Sequence, residues 1–423
     1  VSTTRIAAVA ALLIGGFAAT SVAISNRDPL AELFGGSEFG YAASAAAGAC
    51  AAMLVALFVR RRRVVTAFAV LGIGSIGLIS ALPGIDDAVS YIRGIGSGLL
   101  LGALAALCGS AHRVRQAALA TGTIAGLLLA DPIRNYLRNG SGPRRYADYL
   151  PDAADPTDWF MLVLCGATLL ALVIALWCSA FETNAREVPI VDPVRVIVVG
   201  IALPACCLAL HVLFSHSVGS IETTGLHHWS LGLAIVPVVA IGALWLPKRH
   251  GMVLLAVLAV VAASANSGSA WSDGWPTLLM SGALVAAGTI VGHRWPHPVI
   301  GTAGLAVVAA SGLLDRTPLD GVHSAAQLFA LPFAAAFTVV ACLPSSAPVT
   351  AIALATPGAF TVPLITEFGW TAYSPLTSSG WTAYSWSDAW QWYSTGAYVA
   401  AVVIAGVTLA WLQRRPPVTT SAA

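Results

Sequence analysis

The side chains in this sequence that could do chemistry are few, and they gather in a handful of places. His211, His216, Glu222, His227 and His228 crowd one short stretch, LHVLFSHSVGSIETTGLHH. Imidazoles beside a carboxylate can hold Zn²⁺ or a similar divalent ion, which makes His216, His227 and His228 the metal candidates. Their spacing follows no ordinary ligand set, and solvated histidines at a membrane edge fit it better. Asp86 and Asp87 adjoin in PGIDDAVSY. Such a pair could bind a metal and activate an acceptor, or simply oppose the dipole of the helix that follows. Arg93 and Asp131 stand at the ends of apolar runs, where a passing solute could meet them. Glu367 reads as lying just beyond its own run.

The segment 366–395 is richest in rings. It repeats Gly-Trp-Thr-Ala-Tyr-Ser at 369–374 and 380–385 and adds Trp386, Trp390, Trp392 and Tyr393. Trp386, Trp390 and Tyr393 are spaced i, i+4, i+7, so a short helix capped at Ser385 or Ser387 puts them on one face. One reading is a helix lying on the outer leaflet. The other is a lid whose rings, with Trp381, stack on a sugar or a lipid headgroup at the mouth of a pocket.

These residues are held by elements built for a bilayer. Charged residues make up 9% of the chain and hydrophobic ones 57%, with a mean hydropathy of +0.81. A soluble surface takes about 25% charged residues. The apolar stretches are continuous rather than alternating, which predicts an all-α polytopic bundle and not a barrel. A net charge of +2 gives no reason to expect nucleic acid as a partner. Cys50, Cys108, Cys165, Cys178, Cys206, Cys207 and Cys342 all lie in apolar runs without CxxC or CxxH spacing. They read as small packing residues, with no disulfide framework and no cofactor implied.

Spans are predicted near 6–24, 42–59, 64–82, 92–108, 117–130, 159–181, 194–214, 229–246, 251–267, 275–291, 298–314, 324–343, 348–365 and 396–413, about fourteen with a lower bound of twelve. The weakest are 117–130, which is short, and 348–365, which holds Pro357 and Gly358. The first run reads as an uncleaved span rather than a leader. With the amino terminus in the cytoplasm, the inner segments carry Arg5, Arg60 to Arg63, Arg113, Arg115, Arg186, Arg195, Lys248, Arg249, Arg294, Arg414 and Arg415. That is the larger share of the Lys and Arg, so both termini are expected inside. Trp159, Trp229, Trp245, Trp275, Trp295 and Trp411 fall at span ends, where an indole prefers the headgroup level. The linker 182–193 divides the chain into an amino-terminal six-helix bundle, 1–190, and a carboxy-terminal bundle of about eight helices, 191–423.

Gly94, Gly98 and Gly102 share one face of the fourth span, and small residues at that spacing let a second helix approach closely. Ser90-Tyr91-Ile92-Arg93-Gly94-Ile95-Gly96-Ser97-Gly98 resembles the fourth-helix motif of the major facilitator superfamily, R-x-x-Q-G-x-G-x-G. Ser90 falls on that motif's Arg and Arg93 on its Gln. Gly122-Thr123-Ile124-Ala125-Gly126 is similar to the glycine motif of the fifth helix in the superfamily's antiporters, without the Pro. Arg60 to Arg63 match its basic inner loop in place and charge, without its Gly and Asp. The resemblance implies a two-bundle transporter, and the fourteen-helix branch shares the layout expected here.

The leading expectation is therefore a plasma-membrane transporter or flippase for a small or amphipathic, possibly lipid-linked, solute. Its partners would be membrane lipids and that cargo; the sequence leaves the oligomeric state open. The spans are almost free of charge, which argues against proton antiport. Two other classes stay open. One is a non-transporting membrane subunit or scaffold. The other is a glycosyltransferase using polyprenyl-phosphate sugars, for which Asp86 and Asp87 would be the acidic pair.

Overall fold

The computed structural model describes residues 3–24, 40–81, 88–109, 112–139, 158–181, 192–219, 227–265, 274–315, 318–368, 371–372 and 388–415. Every one of the predicted apolar stretches is a helix. The order is α1 Thr3–Ile24, α2 Gly40–Phe58, α3 Arg62–Ala81, α4 Ala88–Cys108, α5 Arg113–Asn139, α6 Trp159–Trp177 and α7 Pro193–Gly219. Then come α8 Leu231–Trp245, α9 Met252–Ala263, α10 Trp275–Arg294, α11 Pro298–Leu314, α12 Asp320–Ala341, α13 Ala347–Glu367 and α14 Asp388–Gln413. Among the described residues, 11 of these are long and apolar enough to cross a membrane, and α8, α9 and α11 are shorter. The chain is an all-α, multi-pass membrane bundle. Helices satisfy every interior backbone N–H and C=O within the segment, which hydrocarbon demands.

The two runs that read as weakest both extend beyond expectation, each for a local reason. The short fifth run extends to Arg113–Asn139 and carries Pro132 inside it. The run with Pro357 and Gly358 does not end at 365. It is built from Ala347–Ala355, Pro357–Thr361 and a π turn, Val362–Glu367. A π turn absorbs an extra residue and so keeps the helix going past two prolines. Glu367 is thereby the last residue of a spanning helix, not part of a loop. A second π turn, Ala326–Ala330, interrupts α12. Beside the helices, β1 (His227–His228) pairs antiparallel with β2 (Thr371–Ala372), His227 opposite Ala372.

Helix packing repeats along the chain. In α1–α6, α2 and α3 both lie against α4, while α1 touches α4, α5 and α6, and α3 also meets α6. In α9–α14 the same relations recur eight helices later: α10 and α11 against α12, α9 against α12, α13 and α14, and α11 against α14. α7 and α8 stand outside the repeat; α7 packs on α2 and α13, and α8 on α9 and α14. The two sets of six meet where α2 and α4 touch α13, and where α5 touches α10 and α12.

Small residues allow the closest crossings. A Cβ on Gly94, Gly98 or Gly102 of α4 would run into the backbone carbonyls of Ser44, Gly48 and Ala52 on α2. Gly122 and Gly126 of α5 meet the carbonyls of Leu13 and Phe17 on α1 in the same way. In the second set, Gly288 and Gly292 of α10 lie against the carbonyls of Phe333 and Phe337 on α12. Without a hydrophobic drive between helices in lipid, such close backbone contact is what holds a bundle together. α9 is enclosed on every side, all twelve residues being buried. By contrast Val163, Leu170, Ile241, Ile300 and Val307 are exposed, as a lipid-facing surface requires.

Candidate functional site

Among the described residues, one His–carboxylate pair is buried inside the bundle. Nδ1 of His211, on α7, lies 2.7 Å from Oε1 of Glu367, at the end of α13. Their side chains are 8% and 1% exposed. The other carboxyl oxygen, Oε2, is buried with no hydrogen-bond partner. An acid or imidazole in such a place is costly, because lipid and packed apolar groups solvate neither. Local structure brings the two together. The π turn directs the last residue of α13 inward, and His211 sits one helical turn after buried Cys207.

The elements around the pair close over it. Phe368 packs its ring against Tyr398, centroids 5.3 Å apart, and against Tyr393 at 6.2 Å, both on α14. Phe214 of α7 meets Trp229 edge-on at 5.7 Å. The β1–β2 pairing then ties the chain before α8 to the chain after α13. The sequence places Glu367 just beyond its span; this geometry corrects that, making it the last residue of the helix and burying it beside His211.

A second buried polar group lies on α12. Nδ1 of His323 is 2.9 Å from the Ser311 hydroxyl, and Nε2 of Gln327 donates to the Ala263 carbonyl at 3.4 Å. Gln327 Oε1 is buried and unpaired. Sequence reasoning passed over both residues. The buried end of each π turn thus carries a polar side chain that its surroundings satisfy only in part.

The residues singled out from sequence fall in several places. Arg93 is half-buried near the end of α4, where the charges of Asp158 and Arg134 act on it. Asp131 forms an ion pair with Arg134 at 3.1 Å, and Arg134 reaches Asp158 at 3.5 Å and lies over the Phe160 ring. Asp158 itself caps α6, accepting the N–H of Met161. This is a structural ion network around helix ends, away from the His211–Glu367 pair. Tyr393 is exposed at the start of α14. Trp381 and Trp386 lie outside the described residues, as do Asp86 and Asp87, and of Trp390 only the backbone is described. His216 is exposed, and His227 and His228 are described as backbone. Among the described residues no three His, Cys, Asp or Glu side chains gather where they could hold a metal ion. Trp159, Trp245, Trp275, Trp295 and Trp411 are exposed at helix ends, but Trp229 is turned inward with its Nε1 buried.

Between the two sets of six helices, Ala19, Ala45, Gly48, Ser97, Gly98 and Gly358 line part of a cavity of about 20 Å³. That is room for about one water. Nearer the end that carries Arg113, Lys248 and Arg415, the contact is polar. The Gln116 amide donates to the Ser345 carbonyl at 2.7 Å and accepts the Ser345 N–H at 3.0 Å. Arg113 donates to the Gly292 carbonyl, and the hydroxyls of Thr121 and Thr289 lie 2.8 Å apart. Nδ1 of His250 accepts the N–H of Ser346. Burial, with the nearby Lys248 charge, pushes the His250 imidazole down to about 4.

No protein-family model matches the sequence, and no curated protein matches it. Among solved structures, the inward-open form of the xylose transporter XylE from E. coli aligns at 14% identity. It covers 99% of this chain and 97% of that one, with a TM-score of 0.51. The partially occluded inward-open form aligns at 14% identity over 98% and 99% of the two chains, with a TM-score of 0.50. XylE with bound 6-bromo-6-deoxy-D-glucose, described as a major facilitator superfamily proton:xylose symporter, aligns at 13% identity over 96% and 94%, with a TM-score of 0.46. The likeness is one of fold, a multi-pass helical bundle that aligns with the xylose transporter over nearly the whole of both chains.

Proposed function

We propose that this chain is a plasma-membrane transporter for a small or amphipathic solute, working by alternate opening of its two six-helix sets, with His211 and Glu367 as its proton-carrying pair. The observation that carries the reading is the buried pair itself. A carboxyl group with one oxygen unpaired, held by an imidazole inside a spanning bundle, is a costly arrangement that membrane proteins keep for ion or proton movement. The repeat of helix packing supports the rest. Two similar sets that meet along a limited seam can rock about it, exposing the seam to each side in turn. The polar latch at Gln116 and Ser345 would have to break in that movement.

The test is reconstitution into liposomes holding a pH-sensitive dye. Addition of small amphiphiles and sugars one at a time should produce a solute-dependent proton flux for at least one of them. Glu367→Gln should abolish that flux while leaving solute exchange at equal pH intact. Flux that survives in Glu367→Gln would remove the pair from the mechanism. The cavity at Gly48, Gly98 and Gly358 holds only about 20 Å³, which favours a second reading, a membrane subunit that transports nothing. A full panel with neither flux nor exchange would select it.

A further inference from the structure

A large cavity lies on the flank of the protein rather than between the helix sets. It has a volume of about 1000 Å³. α10 and α11 each pack on α12 but hardly on one another, and a trough runs along α11 with α12 as its floor, α10 contributing Val291 near one mouth. Small side chains make the depth: Gly304 on α11, with Ala326, Ala330 and Ala334 on α12. Phe333 and Phe337 stack nearly parallel, 6.2 Å apart, along the floor. Ile300 and Val307 stand on the rim, strongly exposed. The trough follows α11 for 17 residues, Pro298–Leu314, which at the helical rise is roughly 25 Å, close to the thickness of a bilayer's hydrocarbon.

The two mouths differ in charge. Trp295 and His297 line the first, next to exposed Arg294. Arg113 reaches this same end through its bond to Gly292. The opposite mouth, at Leu313, Leu314 and Val322, is bracketed in sequence by Asp315, Arg316 and Asp320. An apolar slot of bilayer length, open to lipid and basic at one mouth, matches one class of molecule. Its acyl chains would lie in the part of the trough nearest that mouth, past Gly304, and its anionic headgroup would rest by Arg294 and His297 at the level of the Trp295 indole.

We infer that the α10–α11–α12 trough is a binding site for an anionic two-chain phospholipid of the surrounding leaflet, with its phosphate at Arg294 and His297. The inference does not depend on what the protein transports. Net charge at the first mouth sets the preference for lipid type, and the trough's depth sets the affinity for any chain.

The experiment is native mass spectrometry of the detergent-purified full chain, titrated with phosphatidylglycerol or with phosphatidylcholine of the same acyl chains. The parent protein should retain phosphatidylglycerol several-fold better. Arg294→Gln with His297→Gln should bring the two lipids within about twofold of one another, because loss of the Arg294 cation near the headgroup removes about a fivefold preference and loss of the imidazole removes a hydrogen-bonding group. Gly304→Leu should weaken both lipids together. A Cβ at Gly304 meets only the Ala334 methyl, at 3.8 Å, so the bulk enters the trough without disturbing the backbone. Melting temperatures of both variants, measured without added lipid, should equal the parent's. Equal binding of the two lipids by the parent protein, or unchanged binding in both variants, would overturn the assignment.

Discussion

Gln116 and Ser345 join the two helix sets through a ring of two hydrogen bonds. The side-chain amide of one donates to and accepts from the backbone of the other, at 2.7 and 3.0 Å. Both residues are buried, Gln116 at 1% and Ser345 at 1% exposure. Replacing Gln116 by Ala leaves the Ser345 N–H and C=O without partners, at a cost of about 1–3 kcal/mol for each group. The closed end should then open more often. Spin labels at exposed Val114 and Trp295, one on each set at that end, should show a new population at longer distance in Gln116→Ala. A distance distribution identical to the parent's would mean that the apolar seam, not this ring, holds the end shut.

Gly98 tests the closest crossing. Its missing Cβ leaves room for the Gly48 carbonyl of α2, and no side-chain rotation can move a backbone oxygen aside. Gly98→Leu should therefore cost at least the 1–3 kcal/mol or so usual for overpacking. Thermal unfolding in detergent should drop by several degrees. Gly166→Leu is the control, since a Cβ there meets nothing within 4 Å. Equal melting of the two variants would place the α2–α4 contact outside the stable core.

The helices were legible because a spanning helix is specified locally. Continuous apolar length is enough, and neither Pro132 nor Pro204 breaks its helix. The glycine faces were legible for the same reason: a spacing of four marks one side whatever the partner. What the sequence hid was rotation. His211 and Glu367 are 156 residues apart, and which way Glu367 points depends on a π turn that no apolar pattern announces. The same turn hid the end of α13 and made Glu367 look like a loop residue. Gln327 was hidden in the same way, since it sits in the π turn of α12 among apolar neighbours. Arg93 and Asp131 were visible as charges near span ends. Arg134 stands one turn from Asp131, but its second partner, Asp158 at the start of α6, could be identified only from the folded arrangement.

The buried pair gives a third prediction. Removing one member of a buried pair leaves the other without compensation and typically costs about 3–5 kcal/mol, while replacing both with apolar groups is often close to neutral. His211→Leu and Glu367→Leu should each lower the melting temperature markedly. The double variant should be more stable than either single one. Additive losses in the double variant would show that the two side chains do not depend on one another, despite their 2.7 Å approach.

His250 gives the pH dependence. Its imidazole is 6% exposed, and Nδ1 accepts the Ser346 N–H, an arrangement open only to the neutral ring. Burial first, and the Lys248 charge second, lower its value from 6.5 to about 4. Between those two values the unfolded chain binds a proton that the folded protein does not. Stability from this group is therefore complete above pH 6.5, falls as the pH drops towards 4 and levels off below it. The span of the shift corresponds to a loss of about 3 kcal/mol. Melting temperature should thus decline steadily from pH 6.5 to 4. The His250→Asn variant, which keeps a polar side chain there without a titrating ring, should start lower and show a flatter decline. The Ser346 N–H loses its acceptor when His250 is protonated, so the same acidification should loosen the segment that carries Ser345 and Gln116's partner groups. Hydrogen exchange at 343–347 should therefore quicken, relative to the intrinsic rate, in the parent protein between pH 6.5 and 4 and change little in His250→Asn. An identical pH slope in both proteins would mean that the destabilising proton binds elsewhere.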